Sequence, residues 1–236
     1  MPWQLWARGA VERAIDPVEP LLASWEKSTD PAQNRLRAYL DEVTAALSPL
    51  PESDPLFLHL DVDVGDPSRL LRHYDLENYL TPLFGSRALP ASQFVLVTAH
   101  KQVGGGSSFA CGRAVPGSAP EGWAHRTTEA GSGTSHRRWK EGRESSLARS
   151  GAEELPAGPV AVRIAWQCAG SRNWVNLWKP TGDAMGPIRG VPDPSKPFHL
   201  NDDRIVDLEM HRQVDDALGH DVVVGIWWQM AIAGDG

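Results

Sequence analysis

Apolar and polar residues alternate with a period of two in several short stretches of this chain. In residues 56–64, leucine and valine alternate with histidine and aspartate, which predicts a strand with one buried face. Asp61 and Asp63 are expected on its solvated polar face. Similar patterns predict further strands over residues 94–99, 109–115, 160–166, 204–212 and 221–229. The chain therefore has enough strands for a substantial sheet.

Apolar residues at helical spacing predict α-helices as well. Leucine and valine recur every three or four residues from Leu36 to Leu47, which is the spacing of one buried helix face. Asp30 is a candidate N-cap for this helix, and Pro31 suits its first position. Shorter helical stretches are predicted over residues 75–84 and 174–185. We therefore expect helices and strands to share one fold.

The order strand, polar loop, helix, strand, turn, strand occurs twice along the chain. Both occurrences contain N-x-x-x-P followed by H-[KR]-Q. The matched segments are 55–60 with 159–164, 78–82 with 176–180, and 94–102 with 205–213, at offsets of 104, 98 and 111 residues. Short strand patterns also resemble one another by chance, but shared residues in the same order favour an internal duplication. Two such units are expected to pack as a pseudo-symmetric pair.

The composition changes between the two repeats. Residues 116–158 are rich in Gly, Ser, Pro, Arg and Glu, and this composition buries little apolar surface and predicts a flexible linker. The predicted organisation is a first half over residues 1–115, this linker, and a second half over residues 159–236. Residues 1–30 hold three tryptophans and three prolines, and the sequence leaves open whether they form an extra arm or a core strand.

The overall composition, with 41% hydrophobic and 22% charged residues among 236, is that of an ordinary folded protein. No run of about 18 apolar residues predicts a membrane span, and the first residues do not resemble a signal peptide. Two cysteines, Cys111 and Cys168, make no disulfide scaffold. A cytoplasmic location without a membrane partner is expected. The net charge of -7 argues against a protein that coats nucleic acid non-specifically.

One segment is basic within this acidic chain. Residues 113–149 hold seven Lys and Arg against four Glu. Cations interleaved with Trp139 suit phosphate contact combined with base stacking, although a solvated flexible loop has the same composition. The candidate nucleic-acid contacts are Arg126, Arg137, Arg138, Lys140 and Arg143.

Two acidic pairs and one lysine are candidates for metal and phosphate chemistry. Asp75 and Glu77 stand at the predicted start of a helix, where both can point at one spot. Asp202 and Asp203 precede a predicted strand. Carboxylate oxygens suit Mg²⁺, and Lys179 would stabilise negative charge on a phosphate. Each residue also has an ordinary interpretation as a helix cap, a loop acid or a surface lysine.

Together these motifs resemble the RusA-type Holliday junction resolvases. The pattern of that family is a strand, a D-L-D-N-x-x-K helix, a D-D-x-x-V-V strand start and a final strand. The first half resembles it in D-L-E-N at residues 75–78. It departs from the family at Thr81, where the lysine should be, and at residues 91–92, where the late aspartate should be.

The second half has the opposite departures from the same pattern. It keeps the Asn and Lys in N-L-W-K at residues 176–179, and it keeps the late acids in N-D-D at residues 201–203. Asn173 and Val175 stand where the two early acids should be. Each half therefore retains the part of the motif that the other half lacks.

The resemblance implies a fold and an activity. RusA-type resolvases are homodimeric, Mg²⁺-dependent endonucleases of mixed α+β fold, so two RusA-like units fused as a pseudo-dimer that acts on branched DNA are expected. In one composite site, Asp75, Glu77 and Asp202 would bind Mg²⁺ together with Asp203. Lys179 would assist catalysis.

Two alternatives stay open. If the missing ligands reflect decay, the protein is a catalytically inactive DNA-binding module of the same fold. If the high tryptophan content and the negative net charge reflect binding to other proteins, the protein is an interaction module without a nucleic-acid role. Trp227 and Trp228 would face opposite sides of one strand, so one of them is a candidate protein contact.

Overall fold

The computed structural model describes residues 3–16, 18–22, 30–50, 55–72, 75–85, 89–128, 131–132, 136–190 and 202–231. The helices are α1 (Pro31–Leu47), α2 (Leu76–Gly85), α3 (His136–Arg149), α4 (Trp178–Asp183) and α5 (Gly186–Arg189). The strands are β1 (Leu5–Ile15), β2 (Leu56–Asp63), β3 (Phe94–Gln102), β4 (Ser108–Gly117), β5 (Ala124–Thr127), β6 (Gly131–Ser132), β7 (Val160–Cys168), β8 (Ile205–Val214) and β9 (Asp221–Met230). Within these ranges, none of the helices has the length and apolar character needed to cross a lipid bilayer.

Eight strands form one mixed sheet in the order β1-β4-β2-β3-β8-β7-β9-β5, and the short β6 also pairs with β9. Residues of all five helices join one apolar cluster with residues of the sheet. Alternation along β2 explains which face they meet, because Leu58 and Leu60 are fully buried in this cluster while His59 and Asp61 point to the other face. Each such leucine stabilises the fold by roughly 1.5–3 kcal/mol. The protein is thus an α+β fold, as expected.

The same arrangement of three strands occurs in each half. In the first half, β2 pairs with β3 in parallel and with β4 antiparallel. In the second half, β7 pairs with β8 in parallel and with β9 antiparallel. Both parallel ladders have an irregularity after their first pair, at Leu56 and at Val160. These residues are 104 positions apart, as in the sequence repeat, so the repeat has a counterpart in strand order and register.

An antiparallel seam between β3 and β8 joins the two halves. Its pairs include Thr98 with Glu209, Leu96 with His211, and His100 with Asp207. The offset of this segment in the repeat is 111 residues, so Leu96 is equivalent to Asp207 and His100 is equivalent to His211. The pair Leu96 with His211 is therefore equivalent to the pair Asp207 with His100. The seam is therefore self-complementary in register, as a two-fold interface is.

Most of the patterned strands and α1 are confirmed. Asp30 caps α1 as predicted, since its carboxylate accepts a hydrogen bond of 2.8 Å from the N–H of Ala32. The helical stretch expected over residues 174–185 is instead divided into a 3-10 turn (Trp174–Leu177) and the short helix α4. Pro180 and Gly182 account for the division, because neither supports a long helix.

The flexible linker predicted over residues 116–158 is wrong for the part that the structure describes. This segment contains the end of β4, then β5, β6 and α3. Trp139 and Leu147 of α3 are buried, and the indole of Trp139 donates a hydrogen bond of 3.2 Å to Thr181 in the second half. The composition conceals this helix because only Trp139 and Leu147 form its buried apolar face. The limits of the two halves stay a prediction.

The sequence left open whether residues 1–30 form an extra arm or a core strand, and the structure answers this for the first part of the segment. Residues 5–15 form β1, an edge strand that runs antiparallel to β4. A Cβ at Gly112 would collide with the carbonyl oxygen of Ala10, so glycine at this position permits the close approach of β1. The N-terminal segment thus extends the sheet of the first half.

The residues before β1 cross the face of the sheet opposite the described helices. The ring of Trp3 packs edge to face on Trp227, with 5.7 Å between centroids, and Leu5 is buried in the same small cluster. Trp227 and Trp228 are each 3% exposed. An exposed tryptophan contact in β9 is therefore a wrong prediction, because the N-terminal residues cover Trp227 and the helical side covers Trp228.

Candidate functional site

Predicted catalytic residues from the two halves meet on the helical side of the sheet. Lys179 is the second residue of α4, and its Nζ lies 3.2 Å from Oε1 of Glu77 in α2. The same Nζ lies 3.0 Å from Oδ1 of Asp183, one helical turn later. The acid that the first half keeps and the lysine that the second half keeps are therefore in contact.

Further pairing extends this contact into an ion-pair chain, formed by Glu77, Lys179, Asp183 and Lys140. Nζ of Lys140 in α3 lies 2.7 Å from Oδ2 of Asp183. The Asp183 side chain is only 7% exposed, and a buried carboxylate needs such partners. The Lys179 side chain is 47% exposed, so solvent screens its pairs and reduces their contribution to stability.

Asp75 stands immediately before α2, where Nδ2 of Asn78 donates a hydrogen bond of 3.0 Å to its carboxylate. A cavity of about 20 Å³ lies beside it, which is room for about one water molecule. Its lining residues come from α2, α4, α5 and the strands β7 and β8, and they include Asp75, Glu77, Arg189 and Ile205. The acids of the first half therefore lie next to the strand that follows Asp202 and Asp203.

Asp202 and Asp203 belong to the 3-10 turn that precedes β8. Nζ of Lys101 in β3 donates a hydrogen bond of 2.7 Å to the backbone oxygen of Asp203, which ties this turn to the seam. The side chain of Asp203 is half-buried, and that of Asp202 lies outside the described residues.

The carboxylates at this place suit Mg²⁺ in their chemistry, because that ion takes oxygen ligands. Among the side chains that the structure describes, however, no three His, Cys, Asp or Glu groups are arranged to hold a metal ion. Glu77 is paired with Lys179, and Arg189 lines the same small cavity. Two cations thus lie beside the two acids.

The predicted nucleic-acid contacts are largely engaged within the fold, and Arg143 is the clearest case. It is 6% exposed, and its guanidinium donates to Oγ1 of Thr128 at 2.6 Å and to the backbone oxygen of Val222 at 2.9 Å. Burial lowers its pKa to about 10. The prediction that Arg143 contacts phosphate is therefore wrong, because its donors are used inside the protein.

The other basic candidates have different environments. Lys140 belongs to the ion-pair chain, and the half-buried Arg126 donates a hydrogen bond of 3.0 Å to the backbone oxygen of Ser150. Arg138 is exposed, whereas Arg137 contributes its backbone to α3 and its side chain lies outside the described part. Much of this basic segment therefore holds α3 and β5 in place.

Comparison with known proteins adds no relative. No protein-family model matches the sequence, and no curated protein is significantly similar to it. The likeness to RusA-type resolvases consequently rests on the short motifs alone.

A second group of polar residues, which the local sequence pattern does not single out, surrounds a cavity of about 450 Å³. This sheet-face cavity spans the seam on the face opposite the described helices. Its lining includes His59, Asp61, Thr98, Arg163, Asp207 and Glu209. All of them are polar residues on four central strands, where a sheet covered on both faces would have apolar side chains.

In the first half, His59 connects two side chains of this cavity. Its Nδ1 lies 2.7 Å from Oγ1 of Thr98, and its Nε2 lies 3.1 Å from Oδ1 of Asp61. Nδ1 of His100 lies 3.8 Å from the same carboxylate oxygen. His100 and His59 hold the pKa of Asp61 well below its usual value, and Asp61 in turn raises the pKa of His100. Asp61 is therefore a paired, ionised group rather than a solvated strand residue.

In the second half, a charged pair occupies the equivalent positions. Nε of Arg163 lies 2.9 Å from Oε2 of Glu209, and Nε2 of the buried His211 lies 3.3 Å from that oxygen. Burial opposes ionisation of Glu209, but His211 and Arg163 hold its pKa below the usual value. An offset of 104 residues carries His59 to Arg163, and one of 111 carries Thr98 to Glu209. Both halves thus form the same cross-strand pair with different chemistry.

Proposed function

We propose that this protein is a RusA-like, metal-dependent endonuclease of branched DNA with a single composite site built from both halves. The observation that carries the proposal is the 3.2 Å contact between Lys179 and Glu77. These two residues represent the complementary parts of a motif that is incomplete in either half alone. Their contact is what a shared site requires.

The repeated strand order supports the same proposal. Six central strands and their self-complementary seam are the arrangement expected when two copies of a dimeric unit are joined in one chain. A chain that contains both copies can lose ligands from each of them and still retain one complete set. This would explain why the departures from the family pattern are complementary.

In this proposal Asp75, Glu77 and Asp202 hold Mg²⁺, with Asn78 orienting the carboxylate of Asp75. When bound, the ion supplies Lewis-acid activation of water and of the phosphodiester. Lys179, held between two carboxylates, supplies positive charge where negative charge develops on the phosphate. Asp203 anchors the turn through its backbone contact with Lys101.

The test is incubation with labelled four-way junctions in Mg²⁺ or Mn²⁺. We expect cleavage that Asp75→Asn, Glu77→Gln and Asp202→Asn each reduce by about 100-fold or more, since removal of charge-stabilising groups has effects of this order. Asp41→Asn, an exposed carboxylate of α1, is the matched control and should leave cleavage unchanged. Absence of cleavage, or cleavage that all three variants retain, would refute the proposal.

A second candidate function, an inactive DNA-binding module, is favoured by the ion-pair chain itself. Glu77 and Asp183 already have lysine partners, and Arg189 adds a further cation at the small cavity. Such a module would shift branched DNA in a gel without cutting it, and the affinity would fall as salt rises. Failure to bind DNA at low salt would exclude both candidates.

A further inference from the structure

The sheet-face cavity has no role in the proposed endonuclease, because it lies on the opposite face of the sheet from the ion-pair chain. Its volume of about 450 Å³ is within the range of small-molecule sites, which are roughly 300–1,000 Å³. Walls come from both halves and from β1. The cavity is thus a formed feature of the fold rather than a shallow groove between loops.

The two sides of the cavity also differ at a further pair of equivalent positions. Leu96 of the first half and Asp207 of the second half are 111 residues apart, and both line the cavity. Trp6 lies with Leu96 in a small apolar cluster and also lines the cavity. A bound molecule would therefore meet an apolar wall on one side and a carboxylate on the other.

The charges of the cavity are mostly paired with each other. Arg163 is bound to Glu209 at 2.9 Å, and Asp61 is bound to His59 at 3.1 Å. Arg8 is exposed at the rim and is solvated there. Asp207 differs from these groups, because within the described part of the chain its carboxylate has neither a hydrogen bond nor an ion pair.

The environment of Asp207 favours a cation from outside the protein. The residue is half-buried. Burial and the neighbouring Glu209 raise its pKa, and the charges of His100, Arg163 and His59 offset this only in part. A carboxylate in this position is stabilised when a positively charged hydrogen-bond donor reaches it. The face of an indole such as that of Trp6 also attracts an ammonium group.

We propose that the sheet-face cavity binds a small organic amine, whose ammonium group contacts Asp207 and whose apolar part packs on Leu96 and Trp6. The binding is independent of the proposed endonuclease activity.

The test is calorimetric titration of the full chain with matched pairs of compounds. Tryptamine and tyramine carry an ammonium group on an aromatic body, while tryptophol and tyrosol carry a hydroxyl group in its place. We expect each amine to bind about tenfold or more tightly than its alcohol, as a charge-assisted hydrogen bond predicts. The amide NMR signals of residues 96–100 and 207–209 should shift on titration with the amine.

Asp207→Asn should remove the advantage of the amines without affecting the weaker binding of the alcohols, and Asp41→Asn should leave both unchanged. A thermal melt establishes that each variant is folded. If Asp207→Asn fails to fold, the NMR titration of the unaltered chain decides. Amines that bind no better than their alcohols, or shifts confined to residues outside the cavity, would overturn the proposal.

Discussion

The two halves of this protein share one backbone plan and use it for different side-chain chemistry. The first half places His59 and Thr98, joined by a hydrogen bond, where the second half places the ion pair of Arg163 and Glu209. The apolar residues of the matched strands stay apolar, because they face the helices and form the core. The comparison teaches that burial of one strand face preserves register, while the other face is free to diverge.

The largest expected effect concerns the core, where equivalent positions of the two halves hold side chains of different size. Trp166 stands 104 residues after Val62, is fully buried and donates a hydrogen bond of 3.1 Å to Thr181. Trp166→Val should lower the free energy of unfolding by about 3 kcal/mol, since it leaves a cavity. Val62→Ala should cost about 1.5 kcal/mol. Urea denaturation measures both, and equal losses would contradict the asymmetry of the cores.

Removal of the shared acid in the ion-pair chain should have the next largest effect. Asp183→Asn leaves Lys140 and Lys179 without their common ionised partner. We expect a loss of about 2 kcal/mol in the free energy of unfolding, below the value for a fully buried pair because both lysines are partly exposed. Asp41→Asn should change stability by less than about 0.5 kcal/mol. A loss no larger than in this control would mean that the chain contributes nothing to stability.

A smaller effect is expected from the hydrogen bond between His59 and Thr98 in the first half. Thr98→Ala removes the 2.7 Å contact with His59 and should cost about 1 kcal/mol, which is typical of one intramolecular hydrogen bond. Thr98→Ala should have no such cost in a protein that already carries His59→Phe, because the hydrogen-bond partner of Thr98 is then absent. A double-mutant cycle by thermal denaturation provides this measurement, and strictly additive losses would argue against the bond.

The smallest effect is a shift in titration. Asp61 raises the pKa of His100, so Asp61→Asn should move the His100 pKa, followed by NMR, down toward its usual value. In this variant the charge of Asp207 still raises the His100 pKa, and the charge of Arg8 still lowers it. A histidine whose pKa is raised in the folded state stabilises the protein fully below the unfolded-state pKa of about 6.5. This stabilisation is lost as the pH rises through the pKa of the histidine in the folded state. The difference in Tm between the protein and Asp61→Asn should therefore narrow from pH 6 to pH 9. An unchanged His100 titration would count against the pair.

Local sequence patterns predicted the central strands and α1, since alternation and a capping aspartate are local properties. They missed β1, whose burial pattern is mostly exposed or half-buried, and α3, whose composition is highly polar. Both elements depend on distant partners: β1 on β4, and α3 on Thr181 through Trp139. An element stabilised mainly by its neighbours has little pattern of its own.

The candidate sites show the same limit. The complementary departures of the two motifs predicted a composite site that includes Glu77 and Lys179; the two side chains are in contact, while the metal site itself stays a prediction. The sheet-face cavity was not predicted. His59, Asp61 and Asp207 come together only when β3 pairs with β8, and the sequence of either strand alone does not specify that pairing. Polar residues at alternate positions of several predicted strands were the available signal.

The self-complementary seam between β3 and β8 has a consequence for assembly. Residues 118–159 connect the last strand of the first half to β7, and within this connection β5 and β6 contact β9 while α3 contacts α4 and α5. If this connection extends away, the first half of one chain can pair with the second half of another and restore the same seam contacts. The architecture thus provides a route to a domain-swapped dimer at high protein concentration, with each seam formed from two different polypeptides.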